Sequence, residues 1–208
     1  MTGGALDRVI ADLERAPRVS WPVAGRELRA LFERGLPPGR PLDGDYAGRL
    51  LLVTVRGPLG AIARAWARAW MPWRGKRFHA EAGLGDNRFA DEARPLMRLC
   101  WPLYRLARRA DPGHFRAFTF STRLAPSVLD PARIVLRLDY DLDENPRFWI
   151  RDVVDELVEV GQAEYLGEAQ VRFGGAWRTA AYFALAPTHL PSSSRLISSP
   201  ASRKGVPA

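Results

Sequence analysis

Residues 1–41 carry hydrophobic side chains at the spacing of helix faces. One run spans residues 6–13 and is ended by Pro17, and a second follows Pro22 and ends at Gly35. Residues 36–41 hold three prolines and one glycine, a composition typical of a linker. The pattern therefore predicts two helices and a connecting segment ahead of the rest of the chain.

Two more helices are predicted further along. Pro58 opens the first, which runs to Trp70 and places Trp66 and Trp70 on one apolar face. The second covers residues 94–109 and is expected to bend at Pro102. Its apolar stripe consists of Leu96, Leu99, Cys100, Leu103 and Leu106.

From His114 the hydrophobic pattern alternates from one residue to the next, which is typical of half-buried strands. Alternating runs cover residues 114–124, 134–141, 165–173 and 177–185, and residues 46–55 form a further apolar strand. The Gly174-Gly175 pair between the last two runs indicates a hairpin. Short antiparallel strands in series predict a barrel of about eight strands. The expected fold class is α+β: an antiparallel barrel with N-terminal helices and two helical insertions.

Composition narrows the class of protein. The chain has 208 residues and a formal net charge of +8, and this length suffices for one domain with its own core. Its single cysteine, Cys100, excludes an internal disulfide and a cysteine-based zinc site. No apolar run approaches the roughly 20 residues of a membrane-spanning helix, and no secretion signal is visible. We expect a bacterial cytoplasmic protein with a helical segment and linker at 1–41, a barrel domain at 42–187 and a disordered tail at 188–208.

The positive charge does not point to a nucleic-acid partner. Lys76 and Lys204 are the only lysines, and the arginines are spread over the whole chain, as the coding bias of a high-GC genome would produce. Proteins that bind nucleic acid usually concentrate their cations on one element. We therefore expect no nucleic-acid partner.

The inward faces of the last two predicted strands mix small and aromatic residues. The small residues are Gly167, Ala169, Thr179 and Ala181, and the aromatic residues are Tyr165, Phe173, Trp177 and Phe183. Because packed sheets normally fill their interface with larger side chains, small inward residues leave volume. That volume is either a ligand pocket or the seat of a helix, with the Trp66/Trp70 helix and the Leu96–Leu106 helix as the two candidates.

Several short motifs occur in a fixed order. Gly44-Asp45-Tyr46-Ala47-Gly48 reads G-x-Y-x-G, and Trp73-Arg74-Gly75-Lys76-Arg77-Phe78 reads W-x-G-K-R-F. They are followed by Asp139-Tyr140-Asp141, Asn145-Pro146, Asp152 to Glu156, Tyr165-Leu166-Gly167 and Tyr182-Phe183-Ala184-Leu185. Over residues 42–187 the series resembles the GXWXG-type families of unknown function, with Tyr46 in place of the motif tryptophan. The resemblance implies a calycin-like barrel, similar in style to lipocalins and fatty-acid-binding proteins. It does not indicate an activity.

The glycines of the first motif allow a tight turn at the barrel rim. Tyr46 is then expected to close the barrel floor and to stack under Arg172 or Arg178 from a late strand.

Asp139, Asp141 and Asp143 recur at a spacing of two residues. On a strand, Asp139 and Asp141 share a face and could form an acid–base pair in which one carboxyl has a raised pKa. The alternative is a solvated strand end with Asp139 paired to Arg137 or Arg123. No calcium loop, zinc motif, nucleophile elbow or nucleotide fingerprint is present, so we expect neither a metal nor a cofactor.

Lys76 is unusual in a chain whose other cations are almost all arginine. A compact ammonium suits a carboxylate or a phosphate. Lys76, with Arg77 beside it, therefore either holds an anionic ligand head group or forms a structural salt bridge.

The leading functional prediction is binding of a hydrophobic small molecule, with or without an acidic group, in the barrel lumen. The predicted ligand-binding residues are Tyr46, Trp73, Lys76, Phe118, Phe120, Arg123, Leu138, Tyr165, Trp177, Tyr182 and Phe183. The alternative is a cofactor-independent isomerase or cyclase for a polyene or polyketide-like substrate, in which Asp139 or Asp141 moves protons and Tyr140 or Tyr182 polarises a carbonyl. A second alternative is docking on a membrane surface through the Trp66/Trp70 helix.

Overall fold

A computed structural model describes residues 5–15, 21–54, 72–104, 109–111 and 113–188. Three α-helices occur in this part of the chain: α1 (Ala5–Arg15), α2 (Trp21–Arg34) and α3 (Arg94–Cys100). Its strands are β1 (Gly44–Val53), β2 (Trp73–His79), β3 (Leu84–Ala90), β4 (Arg109–Asp111), β5 (His114–Pro126), β6 (Ile134–Asp139), β7 (Val153–Gly161), β8 (Glu164–Phe173) and β9 (Ala176–Pro187). Short 3₁₀ turns lie at Ala80–Ala82, Asp91–Ala93 and Ile150–Asp152.

The strands close into an antiparallel barrel. Hydrogen-bonded neighbours run in the order β3-β2-β1-β9-β8-β7-β6-β5, and a further pairing of β3 with β5 joins the two ends of this series. The short strand β4 pairs with β5 outside the ring. The predicted α+β barrel of about eight strands is confirmed, and closure removes the exposed edges that an open sheet would leave.

Two hydrophobic cores lie on opposite faces of the barrel wall. One lies in the lumen, and the other lies between the outer face and the helices α1 and α2. The outer core consists of Leu6, Leu28, Leu31, Phe32, Leu52, Val135, Val158, Leu166 and Tyr182. The two predicted N-terminal helices are therefore confirmed, and their apolar faces cover part of the barrel.

The two sequence motifs meet on adjacent strands. G-x-Y-x-G opens β1 and W-x-G-K-R-F forms most of β2, with Gly44 opposite Phe78 and Tyr46 opposite Lys76. Gly75 has a φ of +134°, and a Cβ there would overlap the Tyr46 carbonyl oxygen. Only glycine fits at this crossing, because the two backbones approach too closely for a side chain.

Aromatic rings occupy much of the space beside the small lumen residues. A Cβ added to Gly48, Gly85 or Gly167 would collide with the ring of Trp73, Phe120 or Phe183, respectively. The predicted empty volume at Gly167 is therefore wrong, because Phe183 from the paired strand β9 lies across it. Ala169 and Ala181, next along the same wall, remain partly exposed.

Of the two helices predicted after residue 54, one is shorter than predicted and the other lies outside the described residues. The helix predicted over 94–109 is helical only over Arg94–Cys100, and Leu99, Cys100 and Leu103 of its apolar stripe are exposed. Met97 and Trp101 are the side chains that α3 and its end bury in the lumen core. The predicted helix at 58–70 and the tail from 189 lie outside the described residues.

Four strands were not predicted as strands: the short β4, and the three lumen strands β2, β3 and β7. The three lumen strands have a feature in common. Each carries a charged or amide side chain on its lumen face, which breaks the simple alternation of hydrophobic and polar residues. None of the helices in the described ranges has the length and apolar character needed to cross a bilayer.

Candidate functional site

Four polar side chains meet at the centre of the lumen. Lys76 Nζ donates to Asn87 Oδ1 at 2.8 Å, to Tyr140 Oη at 2.6 Å and to Asp155 Oδ2 at 2.7 Å. The four residues come from β2, β3, the position after β6, and β7. Because β2 and β7 lie opposite each other in the eight-strand ring, the Lys76–Asp155 ion pair crosses the lumen.

The rest of this lumen network is satisfied by nearby donors and acceptors. Tyr140 Oη donates to Asp155 Oδ2 at 2.8 Å. Asn87 Oδ1 also accepts from Trp73 Nε1 at 3.1 Å, and Asn87 Nδ2 donates to the Phe118 carbonyl at 3.0 Å. Within the described part of the chain, both hydrogen bonds that Asp155 accepts are on Oδ2. Its Oδ1 is thus the acceptor in the network with capacity for another donor.

The turn after β6 fixes where Tyr140 points. Asn145 Nδ2 donates to the carbonyls of Tyr140, at 2.8 Å, and Thr119, at 2.6 Å. These bonds tie the turn to β5, so the tyrosine ring lies inside the barrel next to Phe120.

Aromatic faces surround the buried ammonium. Lys76 Nζ lies 5.0–5.6 Å from the ring centroids of Trp73, Phe120, Tyr140 and Phe183. Attraction between a cation and the negative face of a ring offsets part of the cost of removing Lys76 from water. The side chain of Lys76 is only 2% exposed.

Burial governs the ionisation of this network. It lowers the pKa of the Lys76 ammonium, while the Asp155 carboxylate acts in the opposite direction. Burial also raises the pKa of the Tyr140 phenol well above its usual value, and the Asp155 charge raises it further. Tyr140 therefore keeps its proton at neutral pH and donates a hydrogen bond to Asp155.

Nine of the residues singled out from the sequence belong to the lumen: Tyr46, Trp73, Lys76, Phe118, Phe120, Leu138, Tyr140, Tyr165 and Phe183. Of the two interpretations of Lys76, the structural salt bridge is present, with Asp155 as its partner. Arg77 points to the other face of the wall and pairs with Asp45 at 3.3 Å.

Asp139 and Asp141 do not face the lumen, which corrects the predicted acid–base pair. Adjacent strand residues point to opposite faces, so Tyr140 inside requires Asp139 outside. Asp139 pairs with Arg123 at 3.4 Å and accepts a hydrogen bond from the Asp141 backbone N–H. The alternative interpretation, a solvated strand end with Asp139 paired to Arg123, is the one present.

Three predicted ligand residues also lie outside the lumen. Arg123 is exposed, and Tyr182 is buried beneath the helices on the outer face. Trp177 is contacted by Arg172, whose guanidinium lies 5.6 Å from the ring centroid. The predicted stacking of Arg172 on Tyr46 is therefore wrong; Tyr46 instead makes edge-to-face contacts with Phe78 and Tyr165.

Sequence reasoning missed Asn87 and Asp155. Asp155 and Glu156 interrupt the apolar run Val153-Val154-Asp155-Glu156-Leu157-Val158, and acids in such a run are a usable indication of buried partners. Asn87 lies in the short polar stretch Asp86-Asn87-Arg88, which gives no comparable indication.

The described ranges contain no candidate metal site, because no group of three or more His, Cys, Asp or Glu side chains there could hold an ion. His79 is exposed, with its Nε2 3.9 Å from Asp86, and His114 is partly buried at the start of β5.

Comparison with known proteins supports the fold and nothing finer. No protein-family model and no curated protein matches the chain. A protein from Thermomonospora curvata of known crystal structure is similar to it, with a TM-score of 0.50 and 14% sequence identity, over 89% of this chain and 99% of the other. At this identity the likeness shows the fold alone. The resemblance to the GXWXG-type families remains a prediction.

Proposed function

We propose that the protein binds a neutral hydrophobic small molecule that carries a hydrogen-bond donor, in the half of the lumen walled by Ala169 and Ala181. We further propose that the barrel is of the calycin-like kind. The observation that carries the binding proposal is the buried Lys76–Asp155 pair beside this partly exposed small-residue wall.

The cross-strand register supports this location. Asp155 lies opposite Ala169, and Ala169 lies opposite Ala181, so the three side chains share one row on the lumen face. Methyl groups in this row leave room that larger side chains would fill. A guest in contact with this wall reaches Asp155 directly.

The charge balance favours a neutral guest over an acidic one. Lys76 already donates to three acceptors, so its charge is fully engaged. A second anion beside Asp155 would be a buried charge without a partner, which costs several kcal/mol. A hydroxyl or amine N–H, by contrast, matches the remaining acceptor Oδ1 of Asp155.

The affinity would come mainly from apolar contact. Each Å² of apolar surface removed from water contributes about 25 cal/mol, and the hydrogen bond to Asp155 would add orientation more than strength. Trp73 and Phe183 are the rings that border this half of the lumen, 5.5 Å apart between centroids.

Titration with the neutral fluorescent amine N-phenyl-1-naphthylamine tests the proposal. We expect its fluorescence to rise on binding, and Ala169→Phe to weaken binding at least about tenfold by filling the site. The matched control is Ala186→Phe, at an exposed position of β9, which should leave binding unchanged. Equal binding by the wild type and a folded Ala169→Phe variant would reject the site.

A second candidate function, the isomerase or cyclase, is favoured by one observation. Tyr140, Lys76 and Asp155 form a continuous hydrogen-bonded chain inside the lumen, which could hold and move a proton. Asp139 and Asp141 have no part in this version. Tyr140→Phe should leave probe binding nearly intact under the binding proposal but abolish turnover of any substrate under the enzymatic one.

Docking on a membrane through Trp66 and Trp70 remains a prediction, since both lie outside the described residues. Liposome sedimentation of the wild type and Trp66→Ser tests it, and undiminished binding by the variant would exclude that anchor. A cytoplasmic location is likewise a proposal.

A further inference from the structure

A pocket of about 200 Å³ lies on the outer face of the barrel wall. Val128 and Val154 give it an apolar base, and Trp177 forms one side. Three arginines from separate parts of the chain also line it: Arg137 on β6, Arg151 in the turn before β7, and Arg172 on β8. The pocket is separate from the lumen site, because these strand residues point outward.

Two of these arginines already have carboxylate partners. Arg151 lies 3.1 Å from Asp143 and 3.9 Å from Asp141. Arg172 lies 2.9 Å from Asp152. Asp139, which also lines the pocket, is paired with Arg123. Apart from Arg137, the charges around the pocket are therefore matched in pairs.

Arg137 is different. Among the residues that the structure describes, no carboxylate lies within ion-pair distance of its guanidinium, and one of its terminal nitrogens donates to the Pro126 carbonyl. Its Nε is buried and has no acceptor. A carboxylate placed on the terminal guanidinium nitrogens would supply the charge-assisted hydrogen bonds that no acid among the described residues gives Arg137.

The acid directly opposite Arg137, Glu156, is hydrogen-bonded to other groups. Glu156 lies opposite Arg137 on β7 and is fully buried. Its carboxylate accepts from Ser127 Oγ at 2.7 Å and from the Val128 backbone N–H at 2.6 Å. Those bonds hold the β5–β6 loop, and among the described residues the Glu156 carboxylate makes no ion pair with the Arg137 guanidinium.

Trp177 completes the chemistry of the pocket. Its ring is partly exposed and carries the Arg172 guanidinium at 5.6 Å from its centroid. A partly exposed indole beside two valines offers a planar apolar surface, on which an aromatic ring packs well.

We propose that this outer pocket binds a small aromatic carboxylate, with the carboxylate on Arg137 and the ring against Trp177 and Val154. The inference is independent of the proposed lumen function. A pocket of this size accommodates one ring and its acid group, and each part of such a ligand meets a group that is otherwise incompletely used.

Isothermal titration of the full chain with benzoate tests the proposal. A ligand of this size is expected to bind with a Kd of about 1 mM. Arg137→Gln should weaken binding at least about tenfold, because it removes the guanidinium that receives the carboxylate. Arg26→Gln is the control, since Arg26 is an exposed arginine of α2 that does not line the pocket, and it should bind as the wild type does.

A second ligand tests the role of the ring. Acetate supplies the carboxylate without the aromatic group and should bind at least about tenfold more weakly than benzoate. Unchanged melting temperatures of both arginine variants would show that the barrel remains folded. The proposal fails if benzoate does not bind at about 10 mM, or if it binds Arg137→Gln as tightly as the wild type.

Discussion

Lys76 and Asp155 place opposite charges in the middle of a lumen lined largely by aromatic and aliphatic side chains. Removing two charges from water costs several kcal/mol for each ion, and the pair is tolerated only where other groups also satisfy it. Asn87 and Tyr140 do this for the ammonium, and Tyr140 does it for the carboxylate. The four residues therefore act as one unit, and removing one of them alone should cost more than removing the ion pair.

Lys76→Met tests this dependence. It leaves the Asp155 charge buried without a cation, so the free energy of unfolding should fall by about 3–5 kcal/mol. Lys76→Met combined with Asp155→Leu should recover at least about half of that loss, because both charges are then absent. Urea unfolding measures both. The exposed pair Arg29–Glu33 is the control, and Arg29→Ala should cost less than about 1 kcal/mol.

If the double variant is no more stable than Lys76→Met, the pair is not the source of the cost. The loss would then come from the methionine side chain itself.

Glu168 is a buried acid on the outer face of the barrel with a raised pKa. Burial raises its pKa to about 7, and the charge of Glu156 contributes in the same direction. The Tyr182 hydroxyl, the Arg29 guanidinium on α2 and the Gln170 amide, which donates to Glu168 at 2.8 Å, act in the opposite direction. Its protonated form is thus favoured in the folded protein relative to the unfolded chain.

The stability of the protein should therefore depend on pH through Glu168. Since its folded pKa of about 7 exceeds the ordinary value of 4.5, the folded state binds the proton more tightly and loses stability as pH rises between these values. The loss amounts to about 3 kcal/mol and is complete above the folded pKa. Urea unfolding at a series of pH values should show a flatter dependence for Glu168→Gln than for the wild type.

Glu81→Gln, at an exposed position, serves as the control and should follow the wild-type curve. If the free energy of unfolding of Glu168→Gln depends on pH as steeply as that of the wild type, the ionisation of Glu168 does not cause the pH dependence.

At the scale of elements, neighbouring strands share space by placing a glycine beside a ring. Gly167 on β8 lies opposite Phe183 on β9, and Gly48 on β1 lies beside Trp73 on β2. A ring laid across a glycine brings two strands into close contact and occupies the space beside that glycine. Such pairs explain why a glycine on the lumen face leaves no cavity where a ring lies across it.

Gly167→Ala tests this packing. The new Cβ would overlap the Phe183 ring, so the free energy of unfolding should fall by about 1–3 kcal/mol. Gly39→Ala is the control, because a Cβ there meets nothing within 4 Å. Chemical denaturation of both variants provides the comparison, and equal stability would contradict the packing account.

At the scale of the whole molecule, α1 and α2 pack on the barrel and form an integral part of the fold. Leu28, Leu31 and Phe32 pack against Val158 and Leu166 of the barrel wall. The backbone of Leu36 also pairs with that of Glu159 on β7. The linker thus begins with backbone hydrogen bonds to the barrel, and the helices bury apolar surface that the wall would otherwise expose.

A chain that begins at residue 42 tests this contribution. Each large side chain buried in the outer core contributes about 1.5–3 kcal/mol, so the shortened protein should unfold at lower urea concentration than the full chain. It should also bind the apolar dye 1-anilinonaphthalene-8-sulfonate, because Val158 and Leu166 become exposed. Equal stability and no dye binding would mean that the barrel from residue 42 folds independently.

Local pattern by itself determined a large part of the architecture. The helical spacing in residues 6–13, the Gly174-Gly175 turn and the two-residue alternation of β5, β6, β8 and β9 were read from the chain and are present. Each depends on neighbours within a few residues, since a helix face or a pleat repeats over that distance. The same alternation correctly assigned Leu138, Tyr140 and Phe183 to one face of their strands.

Tertiary structure alone decided what the site is made of. Lys76 and Asn87 are paired across the β2–β3 hairpin, whereas Tyr140 follows β6 and Asp155 lies on β7. The two pairs meet across the lumen because the pairing of β3 with β5 closes the ring. Asp139 and Trp177 lie on the outer wall, where the pairing of the strands brings arginines from β6, from β8 and from the turn before β7 into the same pocket. Pattern along a chain reports which face a residue occupies, whereas its partners depend on register and closure, which are properties of the whole barrel.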